Sequence, residues 1–476
     1  MTTLATAHRS SVRALALAGA LIAVLGACAT PQPAEEDAAD VLALPTAEAD
    51  GPPNEIAAVA GDDQPVSVCE LAYYTGEFAS FGPFLSADVR FPIDEVINLD
   101  PPLGRPWRLY NEDLGTLGEA QATRYCLDEH DAEIIVSMAH GYNTYRDQML
   151  EHWATEDGPL VPSVHGGAIP GNLGGSAAEP IFRAQGLDEG LGTSGVLAAE
   201  ELGAERIVIF TTDTDGFQLA ADAAAKAAEA VGIEVLARID MPAERSSYDE
   251  AITVLRAEQP DAVIVQASVL DSAALLRQAT DSGLVLDWIG ETGWGQPSFV
   301  EALGDAPLER QRSIGFAAFG PRTSNPAWGA FSELWAETPG YGDTYGDASD
   351  PYHFSTYDLL VHTALAVEAG GSYRASDWAP AMHAVGEAPG EVCYTYPTCL
   401  ALLRDGRDID YEGVTGTGDY TDGGVNNVSQ TYTSIGRDGS SGQATPIDPD
   451  RSLDIIDQIA TPATCDSPTL PNHCDW

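Results

Sequence analysis

The segment 206–239, RIVIFTTDTDGFQLAADAAAKAAEAVGIEVLARI, is the clearest guide to the fold class. Two short apolar runs, at 206–210 and 234–239, flank an alanine-rich stretch at 218–231 that is long enough for a helix. Short apolar strands separated by helices of ten or so residues indicate βαβ units, in which helices cover both faces of a parallel sheet. The segment therefore predicts an α/β protein.

The same alternation extends in both directions from this segment. Further strands are predicted at residues 65–72, 107–111, 132–138, 160–165, 262–266 and 287–290. Further helices are predicted at residues 82–98, 117–130, 145–155, 194–202, 248–258 and 270–282. About ten strands exceed one compact doubly wound sheet, so we expect two lobes. Ligands of such sheets bind beyond the carboxyl ends of the strands.

The charge balance excludes several classes of function. The 476 residues include 73 Asp and Glu against 22 Lys and Arg, which gives a formal net charge of −51. Nucleic-acid binding and charge-driven docking on an anionic membrane both need clusters of Lys and Arg. The sequence has no GxSxG, HExxH, P-loop or CxxC motif, and its nine His are not spaced as metal ligands. We therefore predict no enzyme activity, no cofactor, no metal site and no nucleic-acid partner.

The N-terminus has the pattern of an export signal. A stretch with two Arg and no acid, at 1–13, precedes an apolar run at 14–25 that is too short to span a membrane. The run ends in Leu25-Gly26-Ala27-Cys28, which resembles a bacterial lipobox. We expect a signal peptide at 1–27, lipidation of Cys28 and a disordered tether at 28–63. Ordinary cleavage beside an incidental cysteine is the alternative.

Six cysteines remain after Cys28, an even number suited to an oxidising compartment. Six cysteines allow 15 pairings. Proximity in the sequence favours Cys393–Cys399 and Cys465–Cys474, which leaves Cys69–Cys126. Free buried thiols are the alternative for Cys69 and Cys126.

Several short motifs occur in an order typical of one family. They are YTGEFASFG at 74–82, NED at 111–113, DGF at 215–217, STYD at 355–358, and GVTG at 413–416 followed by Asp422-Gly423. With this order and spacing over about residues 64–440, the chain resembles the type I periplasmic binding proteins. It is most similar to their branched-chain-amino-acid-binding branch, the receptors of ABC transporters.

The resemblance implies two doubly wound Rossmann-like lobes joined by three crossovers, which we place near Gly186, Gly320 and Asp408. Lobe 1 would comprise residues 64–186 and 320–408, and lobe 2 residues 187–319 and 409–440. A tail at 441–476 departs from the family. The cleft between the lobes would close on its ligand by a hinge motion.

The resemblance also assigns a binding site to loops that follow the strands. In lobe 1, hydroxyls and backbone N–H groups would hold a ligand carboxylate; the candidate residues are Tyr74, Phe78, His140, Tyr142, Asn143, Thr144, His165, Gly166, Gly167 and Tyr352. In lobe 2, a tyrosine and an acid would hold an ammonium group; the candidates by position are Asp213, Asp215, Phe217, Ser268, Glu291, Thr292 and Trp294. Surface imidazoles, solvated acids and aromatic core packing are the alternatives for these side chains.

The resemblance implies a lipid-anchored receptor on the extracytoplasmic face of the cell membrane, which passes a small polar ligand to ABC permease subunits. Asp215 stands where the amino-acid-binding members have tyrosine, so an amino acid, an amide, a cation or a polyol remains open. The alternative function is a ligand-sensing ectodomain of a signalling system. Asp343, Asp347 and Asp350 lie in a Gly-rich stretch that fits either a solvated loop or a calcium loop.

The acid excess leads to a testable prediction about salt. Like charges repel one another in the compact state, and added salt screens that repulsion. We expect the free energy of unfolding to rise between about 0.1 M and about 1 M sodium chloride, as measured by denaturant unfolding. An unfolding free energy that salt leaves unchanged would show that the acid excess is only a compositional bias.

Overall fold

The computed structural model describes residues 64–75, 82–138, 141–164, 169–426 and 428–460, apart from the side chains of residues 215, 449 and 450. The strands are β1 (Val66–Ala72), β2 (Trp107–Asp113), β3 (Ile134–Ser137), β4 (Val161–Ser163), β5 (Ile181–Arg183), β6 (Arg206–Thr212), β7 (Glu234–Met241), β8 (Ala262–Gln266), β9 (Asp287–Gly290), β10 (Ser313–Phe319), β11 (Glu391–Cys393), β12 (Ile409–Tyr411), β13 (Gln430–Ser434) and β14 (Thr445–Pro446).

The α-helices are α1 (Gly82–Glu95), α2 (Leu114–Leu117), α3 (Glu119–Asp128), α4 (Tyr142–Trp153), α5 (Asp188–Glu201), α6 (Asp215–Val231), α7 (Asp249–Glu258), α8 (Val269–Asp281), α9 (Pro297–Leu303), α10 (Asp305–Arg310), α11 (Pro326–Glu337), α12 (Gly342–Tyr345), α13 (Pro351–Gly370), α14 (Ala375–Ala384), α15 (Tyr396–Arg404) and α16 (Pro449–Ile459). The 3-10 turns are Ile97–Leu99, Pro102–Gly104 and Thr292–Gly295.

The first sheet has the strand order β2-β1-β3-β4-β5, and its strands are parallel. Helix α13 lies against one face of it and is buried along most of its length. Helices α3 and α4 cover the other face, where Cys69, Tyr145 and Met149 form a second layer of core. We call this sheet lobe 1, together with helices α1–α4 and α11–α15.

The second sheet has the strand order β14-β13-β10-β9-β8-β6-β7. Strands β6 to β10 are parallel to their neighbours, while β13 runs antiparallel to β10 and β14. One face packs on α7, α8 and α9, and the other packs on α5 and the alanine-rich α6. We call this sheet lobe 2, together with helices α5–α10 and α16.

The structure confirms the predicted α/β class with two parallel-sheet lobes. Strand β8 has the expected bounds, and β6 and α6 extend the predicted runs by a few residues. Helix α5 starts at Asp188, six residues before the predicted start at 194, because the glycines at its beginning carry no apolar period. Strand β5 was not predicted, since three residues are too few for a period to show.

The third passage between the sheets differs from its expected position. The chain leaves lobe 1 after β5 and returns after β10, but it does not leave again near Asp408. Strand β12 pairs with β11, and Tyr411 and Val414 are buried in the core of lobe 1. The chain enters lobe 2 only after Val428, because most of the buried apolar side chains from Ile409 to Val428 belong to the first core. The exception is Val425, which packs against Leu187 and Ile456.

The segment 441–460 is also placed differently from the separate tail that we expected. Strand β14 pairs with β13, and α16 packs on α5 and α6 through Ile455 and Ile459. These two residues are four apart and so share one face of the helix. The expected pair Cys465–Cys474 lies outside the described residues, as do Cys28 and the tether.

Two of the sequence motifs contact each other. Asp358, in the STYD motif, lies in the buried helix α13, and its Oδ2 accepts hydrogen bonds from the backbone N–H of Thr415 at 2.6 Å and from its hydroxyl at 2.7 Å. The hydroxyl of Tyr411 donates to Oδ1 at 2.8 Å. Burying a carboxylate is costly unless donors satisfy it, so these contacts fix the 413–416 loop against α13.

Two of the predicted disulfides are present in the structure. Cys69 and Cys126 join β1 to α3 across 57 residues, and Cys393 and Cys399 join β11 to α15 across 6 residues. No helix among the described residues is both long and apolar enough to cross a membrane.

Loop length predicts which disulfide matters more for stability. In the chain-entropy model, cross-linking a longer loop removes more freedom from the unfolded chain. We expect the Cys69→Ala/Cys126→Ala pair to lower the free energy of unfolding by about 4 kcal/mol and the Cys393→Ala/Cys399→Ala pair by about 2 kcal/mol, as measured by urea titration. Equal losses for both pairs would contradict this ranking.

Candidate functional site

The carboxyl ends of the parallel strands lie at one edge of each sheet, where ligands of open α/β sheets bind. In lobe 1 this edge holds residues 73–75, 113–116 and 141–144. In lobe 2 it holds residues 211–217, 266–271 and 290–295. The candidates Phe78, His140, His165, Gly166 and Gly167 lie outside the described residues.

Tyr352 is a residue of lobe 1 that lies within electrostatic range of lobe 2. It lies in the first turn of α13 in lobe 1, where its half-buried ring meets Phe84 edge to face at a centroid distance of 6.3 Å. Burial raises the pKa of its phenol, and the charges of Asp350, Glu291 and Asp188 raise it further. Because Glu291 and Asp188 belong to lobe 2, Tyr352 lies close to the acids of the opposite lobe.

The position of Tyr352 is fixed by its neighbour His353. This ring is completely buried, and its Nδ1 lies 2.5 Å from Oδ1 of Asp88 in α1. Its Nε2 lies 3.0 Å from the carbonyl oxygen of Tyr345, and the ring stacks on Trp335 at 4.2 Å. These contacts tie the start of α13 to α1 and α12.

Glu291 is one of the two acids of lobe 2 whose charges affect Tyr352. It follows β9 and caps the 3-10 turn Thr292–Gly295, with its Oε2 accepting the backbone N–H of Gly293 at 2.7 Å. Burial raises the pKa of its carboxyl to about 7, although the Gly293 hydrogen bond opposes the shift. Thr292 lies beside it and is half-buried. Near neutral pH this carboxyl is therefore divided between its neutral and its charged form, and a cation bound beside it would favour the charged form.

Trp294 lies below this turn. Its ring is fully buried in the core of lobe 2 and stacks on Phe299 at 4.5 Å. A side chain at Gly290 would come within 2.0 Å of this ring, so only glycine fits there. The structure thus places Trp294 under the candidate site as core packing.

The other candidates of lobe 2 occupy different positions along the edge. Asp213 is exposed and accepts the backbone N–H of Ala243 at 2.9 Å. Ser268 caps α8, where its hydroxyl donates to Asp271 at 2.9 Å. Phe217 is half-buried in the first turn of α6. Asp215 begins the same helix, and its side chain is not described.

Gln266 belongs to the same edge, although the sequence did not single it out. It is the last residue of β8, is 1% exposed and is paired in register with Thr211 of β6. Its Oε1 has no hydrogen-bond partner among the described residues. A buried acceptor without a donor is unfavourable, so a partner for this oxygen is to be expected.

In lobe 1, two of the three candidates at the start of α4 donate hydrogen bonds to acids of the protein. Tyr142 is 1% exposed and donates to Glu179 at 2.7 Å, beside the ion pair of Glu179 with Arg146. Thr144 donates to Glu119 at 2.5 Å, and Asn143 is exposed. Tyr142 therefore packs in the core, whereas Asn143 and Thr144 face the edge.

Tyr74 belongs to a buried polar cluster that the sequence did not predict. Oε2 of the fully buried Glu70 accepts hydrogen bonds from Ser86 at 2.8 Å, Asn111 at 2.6 Å and Tyr74 at 3.3 Å. Burial raises the pKa of Glu70 to about 7. The signal was a single acid within the otherwise apolar strand 66–72, VSVCELA, but its partners could not be read from the sequence.

In the Asp-rich stretch before α13, two of the aspartates accept hydrogen bonds from nearby backbone N–H groups. Asp347 accepts the backbone N–H of Ser349, and Asp350 accepts that of Tyr352, each at 2.9 Å. Within the part of the chain that the structure describes, no group of three or more His, Cys, Asp or Glu is placed to hold a metal ion.

Two sheets of mainly parallel strands, each covered by helices on both faces and each with hydrogen-bond acceptors at the carboxyl ends of its strands, define a two-lobed α/β protein. The model of the family described as periplasmic binding protein matches residues 71–393, and the chain belongs to this family. A comparison with curated proteins found no match.

Solved structures show the same fold. The leucine binding protein LivK from Thermotoga maritima has 18% identity and a TM-score of 0.61, with 81% of this chain and 99% of that chain covered. LivJ from Streptococcus pneumoniae, in complex with isoleucine, has 15% identity and a TM-score of 0.61, with coverage of 80% and 99%. A solute binding protein from R. palustris, in complex with benzoate, has 14% identity and a TM-score of 0.57, with coverage of 80% and 95%. The type I periplasmic binding protein fold is therefore confirmed.

The buried Glu70 leads to a prediction about pH. Its pKa is about 7 in the folded chain against an ordinary value of 4.5, so the folded state holds its proton more tightly. This stabilisation is present below the unfolded pKa and is lost as pH rises through 7. Relative to Glu70→Gln, the free energy of unfolding of the wild type should fall by up to about 3 kcal/mol from pH 4 to pH 8. Parallel pH profiles of the two proteins in urea would contradict the prediction.

Proposed function

We propose that this chain is an extracytoplasmic receptor that captures a small polar solute between its lobes and delivers it to an ABC permease. A lipid on Cys28 would anchor it to the membrane. Membership of the periplasmic binding protein family supports the reversible capture of a solute. The solved structures of similar fold include proteins described as parts of ABC transporters, which supports a permease as the partner.

The observation that carries the proposal is the position of Tyr352, in lobe 1, within electrostatic range of two acids of lobe 2. The charges of Glu291 and Asp188 raise the pKa of the Tyr352 phenol. Binding sites commonly combine aromatic walls with a few polar anchors. A solute held here would contact both lobes at once and so stabilise the closed arrangement.

The acids of lobe 2 gather at the starts of its first two helices and at the end of β9. Asp188 begins α5, and its Oδ2 would be 3.2 Å from a side chain placed at Gly216 in α6. Its carboxylate therefore lies against the first turn of α6. Together with Glu291 it supplies acceptors for a hydrogen-bond donor on the solute.

A screen by thermal shift tests the proposal. The purified chain, without its signal segment, is heated with amino acids, amides, urea, polyamines and sugars. A ligand that binds only the folded state raises the melting temperature with concentration. We expect at least one of these classes to do so while remaining chemically unchanged. Steady turnover of a compound, or no shift with any class, would contradict the proposal.

Glu291→Gln tests whether lobe 2 holds the solute. Glutamine keeps an oxygen for the Gly293 N–H but removes the negative charge. We expect the dissociation constant of the compound with the largest shift to rise about tenfold, because a charge-assisted hydrogen bond contributes about 1.5–3 kcal/mol. Glu301→Gln, on the exposed side of α9, removes one acid from the same lobe and serves as the control. Equal affinities in both variants, measured by titration calorimetry, would exclude Glu291 from the site.

A further inference from the structure

At the edge of lobe 1, several backbone N–H groups among the described residues already bind the chain's own acids. Oδ1 of Asp113 accepts the N–H groups of Tyr74 at 3.0 Å, Thr75 at 3.1 Å and Gly115 at 3.0 Å. Its Oδ2 accepts the hydroxyl of Thr116 at 2.6 Å. The donors that follow β1 and β2 are thus engaged by a carboxylate of the protein.

The same holds at the start of α4, a helix of 12 residues. A helix N-terminus is a natural anion site because its first N–H groups have no partner within the helix. Here Oε1 of Glu119 accepts the N–H of Gly141 at 2.8 Å and the hydroxyl of Tyr73 at 3.1 Å. Its Oε2 accepts the hydroxyl of Thr144 at 2.5 Å. Glu119 therefore occupies the place of an anion at this terminus.

The fit at this terminus is close. A side chain at Gly141 would come within 2.4 Å of Oε2 of Glu119, so glycine is needed for the carboxylate to approach. The nearest base in α4, Arg146, forms its own ion pair with Glu179 at 2.7 Å. A second carboxylate from a ligand would meet the charge of Glu119 at this helix start.

At the edge of lobe 2, by contrast, a buried hydrogen-bond acceptor has no donor among the described residues. The buried Oε1 of Gln266 has no partner among the described residues, and it lies at the carboxyl end of β8. Ile264 of β8 pairs in register with Ile289 of β9, so Gln266 is level with Glu291 two residues later. Gln266 and Glu291 each lie two residues after one of these isoleucines, which belong to the core between the sheet and helices α5 and α6. Because side chains two residues apart in a strand point to the same face, both positions are on the α5 and α6 side of the sheet. An unsatisfied acceptor beside an acid fits a group that donates several hydrogen bonds, such as an ammonium or an amidinium.

We propose that Glu119 acts as a specificity-determining residue that rejects ligand carboxylates, so that the solute of this receptor is an amine or a related cation without a carboxylate. The inference rests on the proposed function, and it names the chemical class of the solute. The ammonium or amidinium end lies against Glu291 and Gln266 in lobe 2. The remainder of the solute faces lobe 1 without an anionic group.

Pairs of compounds that differ by one carboxylate test this inference. The pairs are agmatine and arginine, putrescine and ornithine, and isoamylamine and leucine. With the full mature chain in titration calorimetry, we expect at least one amine to bind at least tenfold more tightly than its amino acid. In Glu119→Ala the N–H of Gly141 and the hydroxyl of Thr144 are released, so the amino acid should gain affinity and the ratio should shrink at least tenfold.

Two further variants keep the test decisive. Glu119→Gln retains an acceptor for Gly141 while removing the charge, so it should shrink the ratio even if Glu119→Ala folds poorly. Asp438→Asn removes an acid from the turn after β13, at the opposite end of the lobe 2 sheet, and should leave the ratio unchanged.

The outcomes separate this inference from the proposed function. Tighter binding of the amino acids by the wild type, or a ratio that Glu119→Gln and Glu119→Ala leave unchanged, would overturn the role of Glu119. Binding of none of the amines would also overturn it. If another solute, such as a sugar, still raises the melting temperature, the solute receptor stands and only the inferred ligand class is wrong.

Discussion

The need to cover both faces of a parallel sheet governs this structure. In each lobe, helices from both sides bury the inner strands, most of which are apolar along almost their whole length. Polar groups can then remain accessible only at the edges, and βαβ connections bring the strand ends and helix starts to the same edge. The candidate site follows from that constraint, because Tyr352, Glu291 and Asp188 each begin a turn or helix at such an edge.

Some of the many acids of this chain accept hydrogen bonds from backbone N–H groups at helix starts and turns. Helix starts and turns leave backbone N–H groups without partners, and carboxylates are favourable there because they accept hydrogen bonds and complement the helix dipole. Asp113, Glu119, Glu291 and Asp350 each serve as acceptors for such groups. The excess of acid is therefore more than a solvated surface, since part of it completes the local structure at the lobe edges and sets the sign of the charge that a ligand meets.

Individual residues show which parts of the candidate site could be predicted from the sequence. Glu291 was predicted as a ligand contact because it directly follows an apolar strand, and that role stays a prediction. Trp294 was predicted beside it, but a ring in a loop can turn either toward the cleft or into the core, and here it packs in the core of lobe 2. Glu119, Glu70 and Gln266 were missed. Glu119 reaches a helix start 22 residues away, Glu70 meets donors from α1 and β2, and the isolation of Gln266 depends on what surrounds it. Periodicity carries no information about such pairings.

The alternation of strands and helices and the α/β class could be read from the sequence, because burial patterns are local properties of the chain. The number of strands and the order of the motifs indicated two lobes, and the count and spacing of the cysteines indicated two of the disulfide pairs. The folded structure was needed to place residues 409–426 and 441–460, to show which aromatic rings are core and to show which acids occupy the backbone donors at the edges. These features depend on contacts between segments far apart in the sequence, and competition between many similar acids for a few donors is settled only when the chain is folded.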